Sequence, residues 1–426
     1  MNIEALYEIY QQYPSVQTDT RKLKPGDIFF ALKGPSFNGN EFAQKAIDAG
    51  AAYAVIDEEK YLIEGKTFLV EDVLTSLQQL ARHHRKQFDI PFIAITGSNG
   101  KTTTKELIHA VLSSQFKTYT TEGNLNNHIG VPLTILKMRK DAEMAVIEMG
   151  ANHLGEIASY CEIALPTHGL ITNCGKAHLE GFGSEEGVRK GKGELYDFLR
   201  NHQGTAFVMW DYEYLREMSK GISKIISYGT WNADVVGTVS NADRYLEISF
   251  DRGYHGHIQT QLVGDYNLPN VLAAVSIGKT FSINENKIRE AIENYEPTNS
   301  RSQFLQKESN KIILDAYNAN PSSMKAAIGN FAKASGENKI LVLGAMAELG
   351  NASLNEHQDI VNEIKKHRWK NVVLVGGDFM KIDHSFQKFD SSIEAGEWLK
   401  NEKPQNAYLL IKGSRSMQME KVLDYL

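Results

Sequence analysis

The chain alternates short apolar runs with helical stretches. Changes in the order and composition of these runs divide the chain into three blocks. In the first, an apolar run at 26–32 (GDIFFAL) precedes a turn-rich segment, a helical stretch and a second apolar run, AAYAVID. This order predicts a small α/β domain, to which we assign residues 1–86. The helical stretch DVLTSLQQLARHHRK ends the block and leads into the next apolar run.

The middle block, residues 87–298, begins with buried-looking runs such as PFIAITG, AEMAVIEMG and THGLITNCG. Continuous apolar runs of this kind are typical of strands covered on both faces in a parallel sheet. After residue 204 the runs are rich in Val, Ile, Thr and aromatic residues and are separated by turn residues, which predicts an antiparallel appendage. A helix containing NLPNVLAAVSIGKTF closes the block.

The third block, residues 299–426, repeats the alternation with KIILDAYN, KILVLGAM, NVVLVGG and AYLLIKGS. Helical segments lie between these runs, so we predict a Rossmann-like doubly wound sheet. The predicted fold class is therefore α/β with three domains. A small N-terminal domain precedes a central phosphate-loop-type ATPase, whose mostly parallel sheet carries an antiparallel appendage, and the Rossmann-like domain comes last.

A phosphate-binding loop follows the first apolar run of the middle block. It comprises Gly97, Ser98, Asn99, Gly100, Lys101, Thr102 and Thr103. A strand, a Gly-rich turn and a helix N-terminus together form an anion cradle, in which the lysine reaches terminal phosphates and the first threonine ligates Mg²⁺. Only two residues separate the glycines, whereas the general phosphate loop has four. An ordinary turn is the alternative, but Gly-Lys-Thr-Thr at a strand-to-helix junction favours nucleotide binding.

Composition and charge exclude several other classes of protein. The net charge of -6 argues against a general nucleic-acid binder. Cys161 and Cys174 are too few for a disulfide framework, match no zinc-site spacing and fit a reducing cytoplasm. The first residues lack the features of a signal peptide, and no apolar run approaches the ~18 residues of a membrane span. We therefore expect a cytoplasmic protein with no nucleic-acid partner and no membrane insertion.

Three apolar runs of the middle block end in polar residues. They lead into the phosphate loop, into Glu148 and into a loop that contains His178. Because ligands of open α/β sheets bind outside the carboxyl ends of the strands, we expect all three to surround one site. A carboxylate in an apolar strand needs a partner, and Mg²⁺ on ATP phosphates is a suitable one. The alternatives are a strand-end glutamate facing water and a hydrogen-bonding loop histidine.

The residues alone do not decide the roles of two further features. The segment TEGNLNNHIGVP, with Asn124, Asn126 and Asn127, is either a turn cluster or a loop that offers amide groups to a polar substrate. Arg415 follows a predicted strand and suits a carboxylate or phosphate, but a solvated surface cation is equally compatible.

Taken together, the motifs resemble the Mur ligases, the ATP-dependent peptide ligases of bacterial cell-wall synthesis. The resemblance covers nearly the whole chain and rests on TDTRKLKPGDIFFALKG, TGSNGKTTTKE, TEGNLNNHIGVPLT, IEMGANHLGEI, TNCGKAHLEGFGSEEGVRKGKGEL, YNLPNVLAA, LDAYNANPSSM, LGAMAELG and IKGSRSM. AHLEGFGS, DAYNANP and KGSRSMQME point to the member that adds D-alanyl-D-alanine to UDP-N-acetylmuramoyl-tripeptide (UDP-MurNAc-tripeptide). The DNPR-type signature of the diaminopimelate-adding member is absent.

The resemblance implies a reaction through an acyl phosphate. A substrate carboxylate attacks the γ-phosphate of ATP, and the amine of the dipeptide then displaces phosphate from the activated carbonyl. Catalysis of this kind is mostly positioning and neutralisation of phosphate charge. The implied cofactors are ATP and Mg²⁺ at two sites, the implied partners are the two small-molecule substrates, and the protein is expected to be a monomer.

The resemblance also implies residue roles. Lys101 and Thr102 would serve the phosphates and one Mg²⁺, and Glu148 and His178 would hold the second. Lys192 aligns with a lysine that the family carbamylates; CO₂ adds only to a neutral amine, so the site must lower the lysine pKa. A surface lysine in a basic run is the alternative for this residue.

The remaining implied roles fall into three groups. The nucleotide would contact Asn267, Asn270, Arg301, Asp315 and Asn318. The UDP-substrate would contact Asp19, Thr20, Arg21, Asn124, Asn126 and Asn127, and the dipeptide Asn320 and Arg415. Two positions depart from the family pattern: Thr20 replaces a common serine, and Ala345 replaces a common aspartate, which puts any role of that position in doubt.

Two alternative functions are compatible with part of this pattern. One is a related ligase with another acceptor, such as a single amino acid or a polyglutamate chain. The other is a nucleotide-gated switch that hydrolyses ATP slowly. A switch needs neither Glu148, His178 and Lys192 together nor an acceptor-binding third domain, so the sequence favours an enzyme.

Overall fold

The computed structural model describes residues 3–298 and 300–426. The predicted first residues of the N-terminal and C-terminal domains, 1 and 299, lie outside the described residues, as does Asn2. The strands are β1 Val16–Gln17, β2 Ile28–Phe30, β3 Lys33–Gly34, β4 Phe37–Asn38, β5 Tyr53–Ile56, β6 Thr67–Leu69, β7 Phe92–Thr96, β8 Thr118–Thr120, β9 Met144–Glu148, β10 His168–Ile171, β11 Thr205–Met209, β12 Lys224–Gly229, β13 Val235–Asn241, β14 Glu247–Arg252, β15 Gly256–Gln259, β16 Gln303–Lys307, β17 Asn310–Asp315, β18 Lys339–Gly344, β19 Asn371–Val375, β20 Gln387–Phe389 and β21 Tyr408–Lys412. The α-helices are α1 Ile3–Gln12, α2 Ala43–Asp48, α3 Val73–Arg85, α4 Lys101–Ser113, α5 Gly130–Leu136, α6 Glu156–Ala164, α7 Leu179–Phe182, α8 Glu185–Asn201, α9 Glu213–Met218, α10 Leu268–Thr280, α11 Glu285–Glu293, α12 Pro321–Lys333, α13 Ser353–Ile364 and α14 Ser392–Glu402.

The N-terminal part contains a four-stranded parallel sheet in the order β1-β2-β5-β6 and a short antiparallel hairpin of β3 and β4. The apolar faces of α1 and α3 do not form a separate core. Leu6, Tyr10 and Leu80 belong to the same buried cluster as Ile93 of the central sheet. The first sheet is thus packed firmly onto the central part of the chain.

The central sheet has nine strands in the order β15-β14-β13-β12-β11-β10-β7-β9-β8. Pairing is parallel from β8 to β13 and antiparallel only between β13, β14 and β15. The predicted antiparallel appendage is confirmed, but it begins later than residue 204. β11 and β12 continue the parallel sheet because α8 and α9 act as crossover helices. The sequence did not indicate this, because Val/Ile/Thr-rich runs occur in both parallel and antiparallel strands.

The third sheet has the order β16-β17-β21-β18-β19-β20 and is parallel except for the β16–β17 pair. Alternate residues of β18 enter different cores: Leu341 and Leu343 face one cluster, and Ile340 and Val342 face the other. The sheet is therefore covered on both faces, as predicted for a doubly wound domain. β16 was not predicted from the sequence because its residues are only half-buried at the sheet edge.

The order of the central strands positions the site. β7, the strand before the phosphate loop, lies between β9 and β10. All five residues of β7 and of β9 are buried, so only the segments after their carboxyl ends are free for a ligand. The three polar strand ends expected to converge are therefore neighbours in space.

Candidate active site

A cleft of about 1000 Å³ runs between the carboxyl ends of the central strands and the third sheet. The predicted site residues that line it are Ser98, Asn99, Gly100, Lys101, Thr102, Thr103, Asn124, Asn126, Asn127, Glu148, His178, Asn267, Asn270, Arg301, Asp315, Asn318 and Asn320. Other predicted site residues are not among its lining, namely Asp19, Thr20, Arg21, Gly97, Lys192 and Arg415. The expected convergence of the three strand ends is thus observed.

The phosphate loop is hydrogen-bonded to the segment that follows β10. The amide of Ser98 donates to the Asn173 carbonyl at 2.9 Å, and the amide of Asn99 donates to Oδ1 of Asn173 at 3.0 Å. Gly97 and Gly100 have φ of 143° and 78°, a region that favours glycine. The loop therefore takes its shape from both glycines and from its neighbour strand.

We expect Gly97→Ala to lower the stability of this loop strongly. A Cβ there would overlap the hydroxyl of Thr172 and lie 3.1 Å from backbone atoms of Asn173, in addition to the positive φ. Backbone strain and overpacking together predict a loss of roughly 2–4 kcal/mol in the free energy of unfolding. The matched control is Gly155→Ala, which has φ of 84° but no atom within 4 Å of the added Cβ. Urea unfolding of both variants checks this, and equal losses would contradict it.

Lys101 begins α4 and folds back over its own loop. Its Nζ donates to the Gly97 carbonyl at 2.6 Å and to the Ser98 carbonyl at 3.3 Å. Burial lowers the pKa of Lys101, while the nearby charge of Glu148 opposes that shift. The side chain of Thr102 is buried in the first turn of the same helix. A cation at the mouth of a glycine loop is suited to terminal phosphates.

Glu148 is the last residue of β9 and is only 1% exposed, so the alternative of a strand-end residue facing water is wrong. Its Oε1 accepts a hydrogen bond from Nδ2 of Asn126 at 2.8 Å. Its Oε2 is buried without a partner. An orphaned carboxylate oxygen is costly, and Mg²⁺ would satisfy it. Over residues 3–298 and 300–426 no three His, Cys, Asp or Glu side chains form a metal cluster, so a cation here would also need hydroxyl, phosphate or water oxygens.

His178 lies just before α7 with a left-handed backbone at φ of 51°. Its Nδ1 lies 2.6 Å from Oε2 of Glu348, although no aligned hydrogen bond is formed. This contact is the main cause that lowers the pKa of Glu348. The histidine thus meets a carboxylate of the third domain while it lines the cleft.

Lys192 is a buried lysine of α8, 1% exposed, so the alternative of a surface lysine is wrong. Its Nζ donates to the carbonyl of Ala151, a cleft-lining residue, at 2.9 Å and lies 5.0 Å from the ring of Phe182. Burial, followed by the charge of Lys101, lowers its pKa to about 7. A substantial share of this side chain is therefore a neutral amine near pH 7.

We expect Lys192→Met to stabilise the fold near neutral pH. The folded pKa of about 7 lies below the ordinary value of 10.5, so the unfolded chain binds more protons between these values. Stability conferred by this position therefore rises with pH across that window, and protonation below it is destabilising. Removing the charge should raise the free energy of unfolding by about 1–3 kcal/mol at pH 7, with a smaller gain toward pH 10. Urea unfolding in CO₂-free buffer at several pH values measures this; identical pH dependence in both proteins would refute it.

Asn267 and Asn270 form a hydrogen-bonded pair at the start of α10. Nδ2 of Asn270 donates to Oδ1 of Asn267 at 2.9 Å. The hydroxyl of Thr104 donates to Oδ1 of Asn270 at 2.9 Å. This contact ties the asparagine pair to the helix that follows the phosphate loop.

The third domain contributes a second group of charges to the cleft. The guanidinium carbon of Arg301 lies 3.6 Å from the centre of the Tyr317 ring. Asp315 pairs with Nζ of Lys412 at 2.5 Å, and the same Nζ donates to the Asn318 carbonyl at 3.3 Å. Lys412 was not predicted, although its place at the end of the buried β21 was a usable signal. It is 2% exposed and lines the cleft.

The two residues implied for the dipeptide lie in different surroundings. Asn320 caps α12, and its Nδ2 donates to Oδ1 of Asn99 in the phosphate loop at 2.8 Å. The Arg415 side chain is 66% exposed and pairs with Glu420 at 3.1 Å. Its guanidinium carbon lies 5.9 Å from the ring centre of Tyr317, which lines the cleft.

The residues implied for the UDP-substrate also separate into two places. Asp19, Thr20 and Arg21 form a turn in the N-terminal part, where the arginine donates to both carboxylate oxygens of the aspartate. These hydrogen bonds lower the pKa of Asp19 to about 2. In the asparagine segment, Oδ1 of Asn127 accepts the amides of Ile129 and Gly130. That segment is therefore both a turn cluster and part of the cleft wall.

Family models match most of the chain. The model described as the Mur ligase middle domain matches residues 95–278, and the model described as the glutamate ligase domain of Mur ligases matches residues 300–415. The model described as the catalytic domain of the Mur ligase family matches residues 12–86. Together with the relatives below, they show that the chain belongs to the Mur ligase family, whose members are ATP-dependent ligases. The predicted resemblance is confirmed.

Several proteins are similar to this chain over nearly its full length. The UDP-N-acetylmuramoyl-tripeptide–D-alanyl-D-alanine ligase of Bacillus subtilis is 34% identical, over 96% of this chain and 92% of that protein. A crystal structure of MurF from Acinetobacter baumannii has a TM-score of 0.88 at 30% identity, covering 98% of this chain and 97% of that one. MurF ligase of Thermotoga maritima in complex with ADP has a TM-score of 0.86 at 26% identity, covering 96% of each chain. The predicted three-domain α/β fold is confirmed. In the described ranges, no helix has the length and apolar character needed to cross a bilayer.

Proposed function

We propose that this chain joins D-alanyl-D-alanine to UDP-MurNAc-tripeptide at the expense of ATP, giving ADP, phosphate and UDP-MurNAc-pentapeptide for peptidoglycan synthesis. One observation carries the proposal: the phosphate-loop strand lies between the strands that carry Glu148 and lead to His178, in a cleft that the third domain completes. The names of the full-length relatives supply the substrates.

The chain's own residues suit the first half-reaction. The Lys101 ammonium and the loop amides would neutralise the γ-phosphate while the substrate carboxylate attacks it. The orphaned Oε2 of Glu148, the Thr102 hydroxyl and His178 fit the role of Mg²⁺ ligands. When bound, Mg²⁺ would offset the negative charge of the phosphates and of the acyl oxygen. Two such sites remain a proposal.

Lys192 suits carbamylation because it is neutral enough to react near pH 7. Its amine would add to CO₂, a proton would leave the nitrogen, and a carbamate carboxylate would result. Ala151, whose carbonyl now accepts from this amine, lines the cleft, so the new carboxylate would lie next to the wall of the site. A carboxylate here would supply the further oxygen ligand that the cluster of Glu148 and His178 lacks.

The cleft lining supports the nucleotide roles proposed for Asn267, Asn270, Arg301, Asp315 and Asn318. The dipeptide role proposed for Asn320 is supported by its contact with the phosphate loop from the third domain. The UDP-binding role of the Asp19 turn, the dipeptide contact of Arg415, a monomeric state and a cytoplasmic location are proposals too. The domain limits of 1–86, 87–298 and 299–426 also stay predictions.

The direct test is phosphate release with ATP, Mg²⁺ and UDP-MurNAc-tripeptide, with and without the dipeptide. Release that requires both substrates, with the pentapeptide product detected by mass spectrometry, is the expected result. Release that ignores D-alanyl-D-alanine would overturn this acceptor. A screen of single amino acids would then separate a ligase with another acceptor from a slow nucleotide-hydrolysing switch.

A further inference from the structure

Lys176, in the segment between β10 and α7, is held by the third domain at both its main chain and its side chain. Its amide donates to the hydroxyl of Ser322 at 2.9 Å. Its Nζ donates to Oε1 of Glu356, on α13, at 2.6 Å. The glutamate side chain is 9% exposed, and its other oxygen is buried without a partner. Breaking this pair would therefore leave a largely desolvated carboxylate without its cation.

Glu348 holds the next part of the same segment. Its Oε2 lies 2.6 Å from Nδ1 of His178, and its carbonyl accepts the amide of Glu180 at 3.2 Å. Both Glu348 and His178 are in the left-handed region, with φ of 61° and 51°. Such a conformation persists in residues other than glycine only where the surroundings impose it. Two strained residues thus face each other across the domain boundary.

We propose that Glu348 and Glu356 are positioning residues, which orient His178 for the reaction by holding its segment from the third domain. The proposal rests on the proposed function, in which His178 holds Mg²⁺. With Nδ1 against Glu348, Nε2 is the ring nitrogen left for the cleft. A carboxylate behind a ligating histidine commonly fixes its orientation and tautomer. Here that carboxylate comes from another domain, so the ligand is oriented only when the third domain is in place.

The contacts fall on alternate residues of one short segment. Lys176, His178 and Glu180 each meet the third domain, and Asn99 of the phosphate loop meets it through Asn320. Other polar contacts between the central part and the third domain, such as Asn330 with Asp265 and Ser335 with Asp243, lie away from this segment. The contacts of Lys176 and Glu180 flank His178 on both sides.

We call the contacts of Glu348 and Glu356 with segment 174–182 the clamp. Hydrogen exchange in the protein without added nucleotide tests whether these contacts hold the segment. We expect Glu356→Gln and Glu348→Gln each to speed amide exchange in peptides covering 174–182 by about tenfold, because each removes a carboxylate that holds this segment. The control is Glu363→Gln, on the same helix as Glu356, whose carboxylate pairs with Lys366 inside the third domain at 2.6 Å. It should leave this segment unchanged. Unchanged exchange in both glutamine variants would overturn the clamp.

Metal affinity tests the consequence for His178. With a non-hydrolysable ATP analogue, Mn²⁺ binding followed by electron paramagnetic resonance should weaken about tenfold in both glutamine variants. The reversed pair, Lys176→Glu with Glu356→Lys, should regain most of the affinity that Glu356→Lys alone loses. Failure of the reversed pair to recover would overturn the role of the ion pair. Because exchange needs no substrate, failure of the clamp is distinguishable from failure of the ligase assignment.

Discussion

Replacing Lys101 by alanine is expected to lower kcat by on the order of 10³-fold, as when a principal charge-stabilising group is removed. The ammonium is placed at the mouth of the phosphate loop, where it donates to the Gly97 and Ser98 carbonyls. The Michaelis constant for UDP-MurNAc-tripeptide should change little, because the loss falls on the phosphoryl step. Steady-state phosphate release measures both constants.

Lys137→Ala is a suitable control for this substitution. That lysine is on the surface, where it pairs with Glu122 at 2.5 Å and is 49% exposed. It should retain turnover close to that of the unaltered protein. If Lys101→Ala also retained it, the phosphate-loop assignment would be wrong.

The second large effect is expected for Lys192→Ala, which should be nearly inactive and partly rescued by short-chain carboxylates. Alanine removes the amine that would become the carbamate, and a small carboxylate diffusing into the space could supply the missing oxygen ligand. Activity with and without added formate or acetate, at fixed Mg²⁺, is the measurement. Full activity without added carboxylate would refute the carbamate.

Lys190 provides the matched control, since it is two residues earlier on α8 but exposed. Lys190→Ala should keep its activity and show no response to formate. The same comparison separates a specific rescue from a general effect of the added salt. A carboxylate response in the Lys190 variant would point to the salt.

The alternation of apolar runs was sufficient to predict the fold class because strands buried on both faces are short apolar runs bounded by turn residues. β7, β9 and β10 were identifiable for that reason, and so were β18, β19 and β21. The direction of β11 and β12 could not be predicted, since strand direction depends on the crossover helices and not on the strand residues. β16 was missed because an edge strand with half-buried residues lacks a distinctive pattern.

The site was predictable where chemistry is concentrated in a local motif. The phosphate loop, Glu148 and His178 each follow an apolar run, and the rule for strand ends brings them together. Burial of Lys192 was not readable from KGKGEL, because helix packing decides which lysine of a basic run turns inward. Glu348 was missed for a similar reason: its importance lies in a partner that is distant in sequence, His178. Lys412, at the end of the buried β21, could have been found by the rule for strand ends.

The Lys101 ammonium already has two acceptors in this structure, the carbonyl oxygens of its own loop. A lysine ammonium has three N–H donors, so one is left for a phosphate oxygen and the other two would have to leave the loop carbonyls. Under the proposed function, a free phosphate would gain only the contacts of this loop, whereas ATP would also contact residues along the cleft. Competition from the loop carbonyls would therefore favour the complete nucleotide over the inorganic phosphate that each turnover releases.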